Sequence, residues 1–189
     1  MDPILKDFPH DFDTERLTIR CPMPGDGAAL YEAVLESLDE LRPWLAWAMK
    51  DPTVEDTETN VRKGYTRFLN RKDLWLLLFL KGTNTCVGGS GLHRIDWEVP
   101  KFEVGYWLRT SYVGQGYMTE AVTGITNFAF DMLDAKRVEI RCDALNERST
   151  AIARRLNFPL EGTLRCDDRN HLSGKLRDTL IFAKIASDR

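Results

Sequence analysis

A glycine turn near the middle of the chain lies between two stretches of different periodicity. Before it, apolar residues alternate with others from Phe102 to Leu108, which predicts a strand. After it, apolar residues recur at helical spacing from Ala121 to Met132, which predicts a helix. The turn itself reads Val113-Gly114-Gln115-Gly116-Tyr117. Because backbone amides at the start of a helix bind anions, we interpret this junction as a pyrophosphate site.

The elements that must position this turn follow a regular order along the chain. Periodicity predicts a strand, two helices, three strands, a helix, a strand, a helix and two strands. Because most connections are hairpins and helices flank the glycine turn, this order favours an α/β sheet of mixed direction. We expect a single domain over residues 1–189, with residues 1–13 as a loose N-terminal lead-in. The predicted strands are Thr14–Arg20, Trp75–Leu80, Thr85–Ile95, Phe102–Leu108, Lys136–Cys142, Phe158–Arg165 and Leu176–Ile185.

Polar residues mark the ends of the predicted helices. Asp26, Thr53 and Asn146 each precede a helical pattern, and side chains of these types cap helix N-termini. Asn157 follows the last helical pattern, where a left-handed residue is favoured. The expected apolar stripes of the first three helices include Leu35, Leu69 and Met132.

Composition and charge narrow the class of protein. The chain has 189 residues, is 43% hydrophobic and 29% charged, and carries a formal charge of −3, which is typical of globular domains and disfavours nucleic-acid binding. The four cysteines form no CxxC pair, so neither a metal site nor a disulfide scaffold is expected. The N-terminus lacks a signal peptide pattern, and the longest apolar run, Leu74–Leu80, is too short to span a membrane. We therefore expect a cytoplasmic protein with no membrane partner.

The segment Arg109–Ala121 resembles the acetyl-coenzyme A signature of the GNAT family of N-acetyltransferases. Around it, Gly105–Leu108, Asn146–Ser149 and Phe158–Arg165 resemble the RimJ/RimL-like branch, which acetylates the N-termini of ribosomal proteins. Leu41–Leu45 and Asp178 are similar to the same branch, and the resemblance covers about residues 14–186. It departs from the family pattern at Ser111, the first position of the signature, and at Asn157, where the family usually has glycine.

The resemblance implies a GNAT-like fold and an acetyl donor. The expected fold is a mixed, mostly antiparallel central sheet flanked by helices and splayed at the strand that binds the cofactor. Acetyl-CoA would be the donor substrate, without a metal. Its pantetheine arm would pair with the strand edge at Trp107, Leu108 and Arg109, and a backbone amide near Trp107 or Leu108 would bind the thioester oxygen. The amides for the pyrophosphate would come from Gly114, Gln115, Gly116, Tyr117 and Met118.

The resemblance also implies that a primary amine attacks the donor directly. Glu103, on the strand before the turn, is expected to take the amine proton through water if it faces the cleft; otherwise it is a solvated charge. Asp168 is the other candidate for the base, at a position where the family usually has glutamate. The alternative is that Asp168 is only a charged residue of a surface loop. Ser149 corresponds to a hydroxyl that stabilises the leaving thiolate, unless it serves only the local backbone. Asn146 is expected to cap its helix and to bind a pantetheine amide.

The sequence signals for the part of the site that binds the acceptor amine are less specific. Trp44 and Trp47 form either one wall of an acceptor pocket or the edge of the core, and His171 is a candidate for the same pocket. The acceptor is expected to be a protein N-terminal α-amine, with a polyamine or an aminoglycoside as the alternative. A non-catalytic acyl-CoA-binding module is the alternative of a different class. A homodimer is expected only because dimers are common in families that look like this one.

Overall fold

The computed structural model of the protein describes residues 2–188 and contains eight strands and four α-helices within that range. The strands are β1 (Asp11–Asp13), β2 (Leu17–Arg20), β3 (Leu74–Leu80), β4 (Cys86–Asp96), β5 (Lys101–Leu108), β6 (Arg137–Asp143), β7 (Leu160–Arg169) and β8 (Leu176–Ile185). The helices are α1 (Gly27–Leu41), α2 (Val54–Leu69), α3 (Tyr117–Met132) and α4 (Glu147–Arg155). Among residues 2–188, no helix has the length and apolar character needed to cross a membrane.

The strands form one sheet in the order β1-β2-β3-β4-β5-β6-β8-β7. All neighbouring strands are antiparallel except β5 and β6, which are parallel and joined through α3. A parallel pair needs such a crossover because its strands run in the same direction. The predicted mixed, mostly antiparallel α/β sheet is therefore confirmed.

The pairing of β5 with β6 is much shorter than either strand. It covers Lys101–Glu103 of β5 and Arg137–Glu139 of β6, although the strands continue to Leu108 and Asp143. Beyond Glu103 the sheet is open between them. This is the splay that was predicted at the cofactor-binding strand.

Helices cover both faces of the sheet, and β3 shows how the core is divided. Leu76 and Leu78 belong to one buried cluster, which also contains Ile125 of α3. Leu77 belongs to a second cluster on the opposite face, together with Leu38 of α1. A strand that is buried on both faces reads as a continuous apolar run, which is how β3 appears in the sequence. The two clusters thus pack α3 on one face of the sheet and α1 on the other.

The N-terminal segment is more ordered than the expected loose lead-in. Asp11–Asp13 forms β1, which pairs with β2, and Phe8 is buried with its ring edge-on to Phe68 and Phe128. A three-residue strand is too short to show an alternation pattern, which explains why periodicity missed it. The expected domain of residues 1–189 includes Met1 and Arg189, which lie outside the described residues.

The predicted caps are partly correct. The Thr53 hydroxyl accepts a hydrogen bond from the Asp56 amide, and Asn146 accepts one from the Ser149 amide. The Asp26 cap is wrong: its carboxylate instead binds Arg20 and the Met23 amide. A charged partner offers a carboxylate a stronger bond than an amide alone does.

Three residues of the predicted apolar stripes face solvent. Leu35, Leu69 and Met132 are exposed, because each lies at the rim of its stripe or at the end of its helix. Asn157 has a φ of 54°, so the predicted left-handed end of the last helix is confirmed.

Candidate active site

The opening between β5 and β6 forms the wall of a cleft with a volume of about 1410 Å³. The amide of Arg109, just after β5, donates to the carbonyl of Val87 in β4 at 2.8 Å, so the backbone groups of Arg109 face β4. Because backbone groups of alternate residues point to opposite sides of a strand, Val104, Tyr106 and Leu108 direct theirs toward the opening. The cleft therefore offers a free strand edge to an extended ligand.

The glycine turn lies at the end of this free edge. Gly114 and Gly116 have φ angles of 81° and 85°, in the left-handed region that favours glycine. Gly116 is the N-cap of α3, and its carbonyl accepts the first helical bond, from the Glu120 amide at 3.0 Å. No side chain caps the helix, so the first amides of α3 remain available to an anion.

Arg16 also lines the cleft and holds the glycine turn, a contact that the sequence did not predict. Its Nη1 donates to the carbonyl of Gln115 at 2.9 Å, and its Nε donates to Glu120 Oε2 at 2.6 Å. The guanidinium also lies 4.2 Å from the centre of the Tyr117 ring. Arg16 precedes the turn by about a hundred residues, so no local pattern could have connected them.

A pair of hydroxyl groups lies on the α4 side of the cleft. The Tyr106 hydroxyl donates to the backbone carbonyl of Ser149 at 3.0 Å, and the two hydroxyl oxygens are also 3.0 Å apart. Burial raises the pKa of the Tyr106 hydroxyl, so it remains protonated at neutral pH. Sequence reasoning missed Tyr106 because its alternation placed it among core residues.

Asn146 orients this hydroxyl pair through the start of α4. Its side-chain oxygen accepts the Ser149 amide at 3.0 Å, which fixes the first turn of the helix against the end of β6. Cys142 lines the cleft beside it, with Sγ at 3.6 Å from Thr150 Oγ1. Burial raises the pKa of this thiol, so it is not a thiolate at neutral pH.

Glu103 is one of several largely buried carboxylates that line the cleft; Asp143 and Glu120 are paired with Arg177 and Arg16. Glu103 lies where β5 and β6 part, and its side chain is 17% exposed. Burial raises the pKa of the Glu103 carboxyl above its usual range, against the opposing effect of Arg94 and Arg141. Their Nε atoms lie 3.4 and 3.9 Å from Oε2, which accepts no hydrogen bond from residues 2–188. A carboxylate of this kind can accept a proton.

Asp168 also lines the cleft, but in a different environment. β7 extends to Arg169, so Asp168 belongs to a strand and not to a surface loop. Its carboxylate is half exposed and accepts a hydrogen bond from Arg177. That hydrogen bond holds the pKa of Asp168 below its usual range, which makes it a weaker base than Glu103.

The predicted site residues are not all brought together. Trp44 lines the cleft, whereas Trp47, whose ring is edge-on to Trp107 at 5.8 Å, does not. His171 lies in the turn between β7 and β8, outside the lining of the cleft. Arg109 uses its side chain to bind Glu36 of α1 at 2.6 Å. The predicted cofactor residues that line the cleft are Trp107, Leu108, Gly114, Gly116, Met118 and Asn146.

The side chains of Gln115 and Tyr117 in the glycine turn are outside the lining of the cleft. Gln115 donates from its side-chain amide to the Ser111 carbonyl at 2.9 Å, and the Tyr117 ring packs against Tyr112. Only the backbone of these two residues can therefore serve an anion. Among residues 2–188, no three His, Cys, Asp or Glu side chains are grouped so that they could hold a metal ion.

Comparison with known proteins places these features in a family. Residues 16–159 match the family model described as the acetyltransferase (GNAT) domain. The chain is 29% identical over 173 residues to the putative ribosomal N-acetyltransferase YdaF of Bacillus subtilis, covering 90% of this chain and 92% of that protein. It is 25% identical over 156 residues to the ribosomal-protein-serine acetyltransferase of Escherichia coli, covering 82% and 85% of the two chains.

Solved structures show the same similarity. The chain resembles RimL, a ribosomal L7/L12 α-N-protein acetyltransferase solved in complex with coenzyme A, with a TM-score of 0.84 and 26% identity over 91% of this chain and 95% of that one. Its fold also matches the microcin C7 self-immunity acetyltransferase MccE, with a TM-score of 0.85 and 24% identity over 94% and 97%. The chain therefore belongs to the GNAT acetyltransferase family, in its RimJ/RimL-like branch.

Proposed function

We propose that this protein transfers the acetyl group of acetyl-CoA to the N-terminal α-amine of a protein, by direct attack of the amine. One observation carries the proposal: the parting of β5 and β6 after Glu103. It exposes a strand edge, directs that edge toward the glycine turn, and leaves the largely buried Glu103 carboxylate at its apex. Family membership and the coenzyme A complex of RimL support the same donor.

The donor half would use mostly backbone groups. The first amides of α3 and those of the glycine turn, from Gly114 to Met118, would bind the pyrophosphate. The free edge of β5 at Leu108 would pair with the pantetheine arm. Trp107 and Arg109 turn their backbone groups toward β4 and would hold this edge in place. Asn146, at the start of α4, would bind a pantetheine amide from the opposite side of the opening.

The acceptor amine needs only modest help to attack. An α-amine has a pKa of about 8, so roughly a tenth of it is neutral at pH 7. We assign Glu103 as the proton acceptor, because its pKa is raised and one of its oxygens has no hydrogen-bond partner among the described residues. Asp168 is engaged by Arg177 and would orient the acceptor instead.

Departure of the coenzyme thiolate needs a hydrogen-bond donor. Ser149 and Tyr106 form a hydroxyl pair beside the opening, and the raised pKa of Tyr106 keeps its proton in place. We propose that Ser149 donates to the departing sulfur while Tyr106 holds the serine in position. Cys142, which is neutral there, would not form an acetyl-enzyme.

A coenzyme-release assay with several amines tests this function. Peptides with a free N-terminus, the same peptides with a blocked N-terminus, a polyamine and an aminoglycoside would be compared. Release that depends on the free peptide α-amine is expected, in keeping with the acceptors named for the similar E. coli and RimL proteins. Faster release with the polyamine or the aminoglycoside would favour the small-molecule function. Coenzyme binding without any release would favour the non-catalytic module.

We further propose that Trp44, Trp47 and His171 contact the acceptor, although Trp44 alone lines the cleft. Trp47 is 49% exposed beside Trp107, so a bound peptide chain could cover it. Tryptophan fluorescence during titration with an acceptor peptide would test this placement. Quenching that is lost in Trp44→Phe is expected.

We also propose a cytoplasmic homodimer. β7 is the ten-residue edge strand of the sheet, and its Leu160 and Leu164 are exposed. Exposed edge strands with apolar residues pair readily with other chains. Sedimentation equilibrium of the wild-type chain and of Leu160→Lys tests this: a dimer that dissociates in the variant is expected, and a wild-type monomer would contradict it.

A further inference from the structure

His93 lies directly across the strand pair from Glu103. The two residues are register partners of β4 and β5, so their side chains share one face of the sheet. Cross-strand partners have Cβ atoms roughly 4.5–5.5 Å apart, within reach of one bridging water. His93 is therefore a neighbour of the proposed proton acceptor on a different strand.

Asp73 holds the His93 ring in a defined orientation. Its Oδ2 lies 2.8 Å from Nδ1, at the point where the chain enters β3. An ionised carboxylate only accepts hydrogen bonds, so this contact assigns the proton of neutral His93 to Nδ1. Nε2 is then the proton-accepting nitrogen, and no residue in the described range 2–188 is hydrogen-bonded to it.

Two glycines form a slot for the imidazole. A Cβ on Gly91 would lie 3.0 Å from Cε1 of His93. A Cβ on Gly105 would lie 3.0 Å from Cδ2 and 3.4 Å from Nε2. Both distances are too short for an ordinary contact, so any larger residue at these positions would displace the ring. Nε2 thus lies over Gly105, which follows Glu103 by two residues and lines the cleft.

The His93 side chain connects this position to solvent. It is 30% exposed, although it is not among the residues that line the cleft. The Asp73 side chain is 29% exposed. The Cδ2–Nε2 edge of the ring thus lies over Gly105 on the face of the sheet that carries Glu103, and the side chain is in part open to water.

We propose that the Asp73–His93 pair carries a proton from Glu103 to solvent. The inference rests on the proposed function, because an α-amine enters the site mainly as an ammonium ion. An N–H bond of that ammonium breaks as a Glu103 O–H bond forms. The O–H bond then breaks as His93 Nε2 takes the proton and passes it to water.

The second proton of the amine completes the proton balance of one turnover. After the amine has attacked, Glu103 takes its second proton and gives it up to the coenzyme thiolate, so each turnover exports one proton to solvent. Glu103 must lose the first proton before it can accept the second. His93 acts through Glu103 and does not touch the acceptor, so it is a positioning residue of the reaction.

The charges around the pair favour this transfer. Once Glu103 has lost its proton, Arg94 and Arg141 face its carboxylate. Protonated His93 in turn faces the carboxylate of Asp73. Each charge created by the transfer therefore has a partner of opposite sign.

Chemical rescue tests the relay. Wild-type turnover is measured first with a peptide that has a free N-terminus, and its absence with every amine would overturn both the proposed function and the relay. His93→Ala empties the slot between Gly91 and Gly105, and we expect kcat to fall about tenfold to a hundredfold. Added imidazole should restore kcat in a concentration-dependent way, which a merely structural role would not produce.

A control variant and a variant of Asp73 distinguish the relay from a structural role of His93. His10→Ala removes an exposed histidine of the N-terminal segment and should behave as the wild type. Asp73→Asn keeps the ring but loses its orientation, so kcat should fall without any response to imidazole. Coenzyme A affinity, measured by calorimetry, should be unchanged in all variants. An unchanged kcat in His93→Ala, or a reduced kcat that imidazole does not raise, would overturn the relay and leave the proposed function intact.

Discussion

Glu103 and Glu139 are the last residues that pair β5 with β6 before the two strands part. Glu103 lines the cleft that opens at this point, whereas Glu139 is bound by Arg137 Nε at 2.6 Å. The two carboxylates of one register pair are therefore used differently. Glu139 is hydrogen-bonded to an arginine of its own strand, whereas Glu103 Oε2 at the apex of the opening has only the longer contacts with Arg94 and Arg141 and no hydrogen bond from residues 2–188.

Glu103→Gln is expected to lower kcat by about 10²–10⁴-fold, the range usual for loss of a general base. The amide is the same size and cannot take the proton, so coenzyme A affinity should stay unchanged. Steady-state coenzyme release and calorimetry measure the two effects. Asp168→Asn is the matched comparison, and a larger loss of kcat in that variant would transfer the role of base to Asp168.

The wild-type rate should depend on pH in a direction set by Glu103. Burial raises the pKa of this carboxyl above the usual value for glutamate. The base is active when deprotonated, so kcat should fall as the pH drops through that raised pKa, above the range in which an exposed glutamate titrates. A pH profile of kcat checks this, and the acidic limb should be absent in Glu103→Gln. An identical limb in the variant would show that another group titrates.

Much of this site could be predicted from sequence because its signals are local. The glycine turn, the strand before it and the helix after it occupy one continuous segment, and their periodicities change at the turn. Asn146 caps α4 by bonding to a residue three positions away. Features of this kind are encoded within a few residues, so a pattern along the chain is enough to find them.

Most of the features that the sequence did not predict depend on contacts between distant segments. Arg16, just before β2, binds the glycine turn about a hundred residues later, and Tyr106 meets Ser149 at the place where β5 and β6 part. Asp26 is a local exception, because its carboxylate binds Arg20, six residues earlier, and not the helix start beside it. The burial that raises the pKa of Glu103 is created by the packing of several strands and cannot be seen in its neighbours along the chain.

Gly116→Leu is expected to abolish coenzyme A binding. Its φ of 85° is unfavourable for any residue with a side chain, and a Cβ there would also lie 3.4 Å from Arg16 Nη2. The strained backbone would turn the first amides of α3 away from the anion. Calorimetry measures the affinity. Gly82→Leu is the control, because Gly82 has a similar φ of 74° with nothing near its Cβ position; unchanged affinity in Gly116→Leu would refute the site.

Ser149→Ala and Tyr106→Phe are expected to lower kcat, the first by about tenfold or more, because each removes one hydroxyl of a hydrogen-bonded pair. Their effects should not add in the double variant, since Tyr106 acts through Ser149. Coenzyme release with a fixed peptide acceptor measures all three. Fully additive losses would show that the two hydroxyls act separately.

Arg16→Gln is expected to weaken coenzyme A binding by about tenfold while leaving kcat at saturation nearly unchanged. The guanidinium holds the Gln115 carbonyl and Glu120 and lies against Tyr117, so its loss would let the glycine turn move. It would also remove a positive charge from the edge of an anion site, so the salt dependence of binding should decrease. Calorimetry at two ionic strengths tests both effects.

Arg62→Gln, which breaks an exposed pair with Glu58 on α2, is the matched control and should bind like the wild type. Equal affinities in the two variants would mean that Arg16 stabilises only the fold, and a lower melting temperature in Arg16→Gln would then be its sole effect.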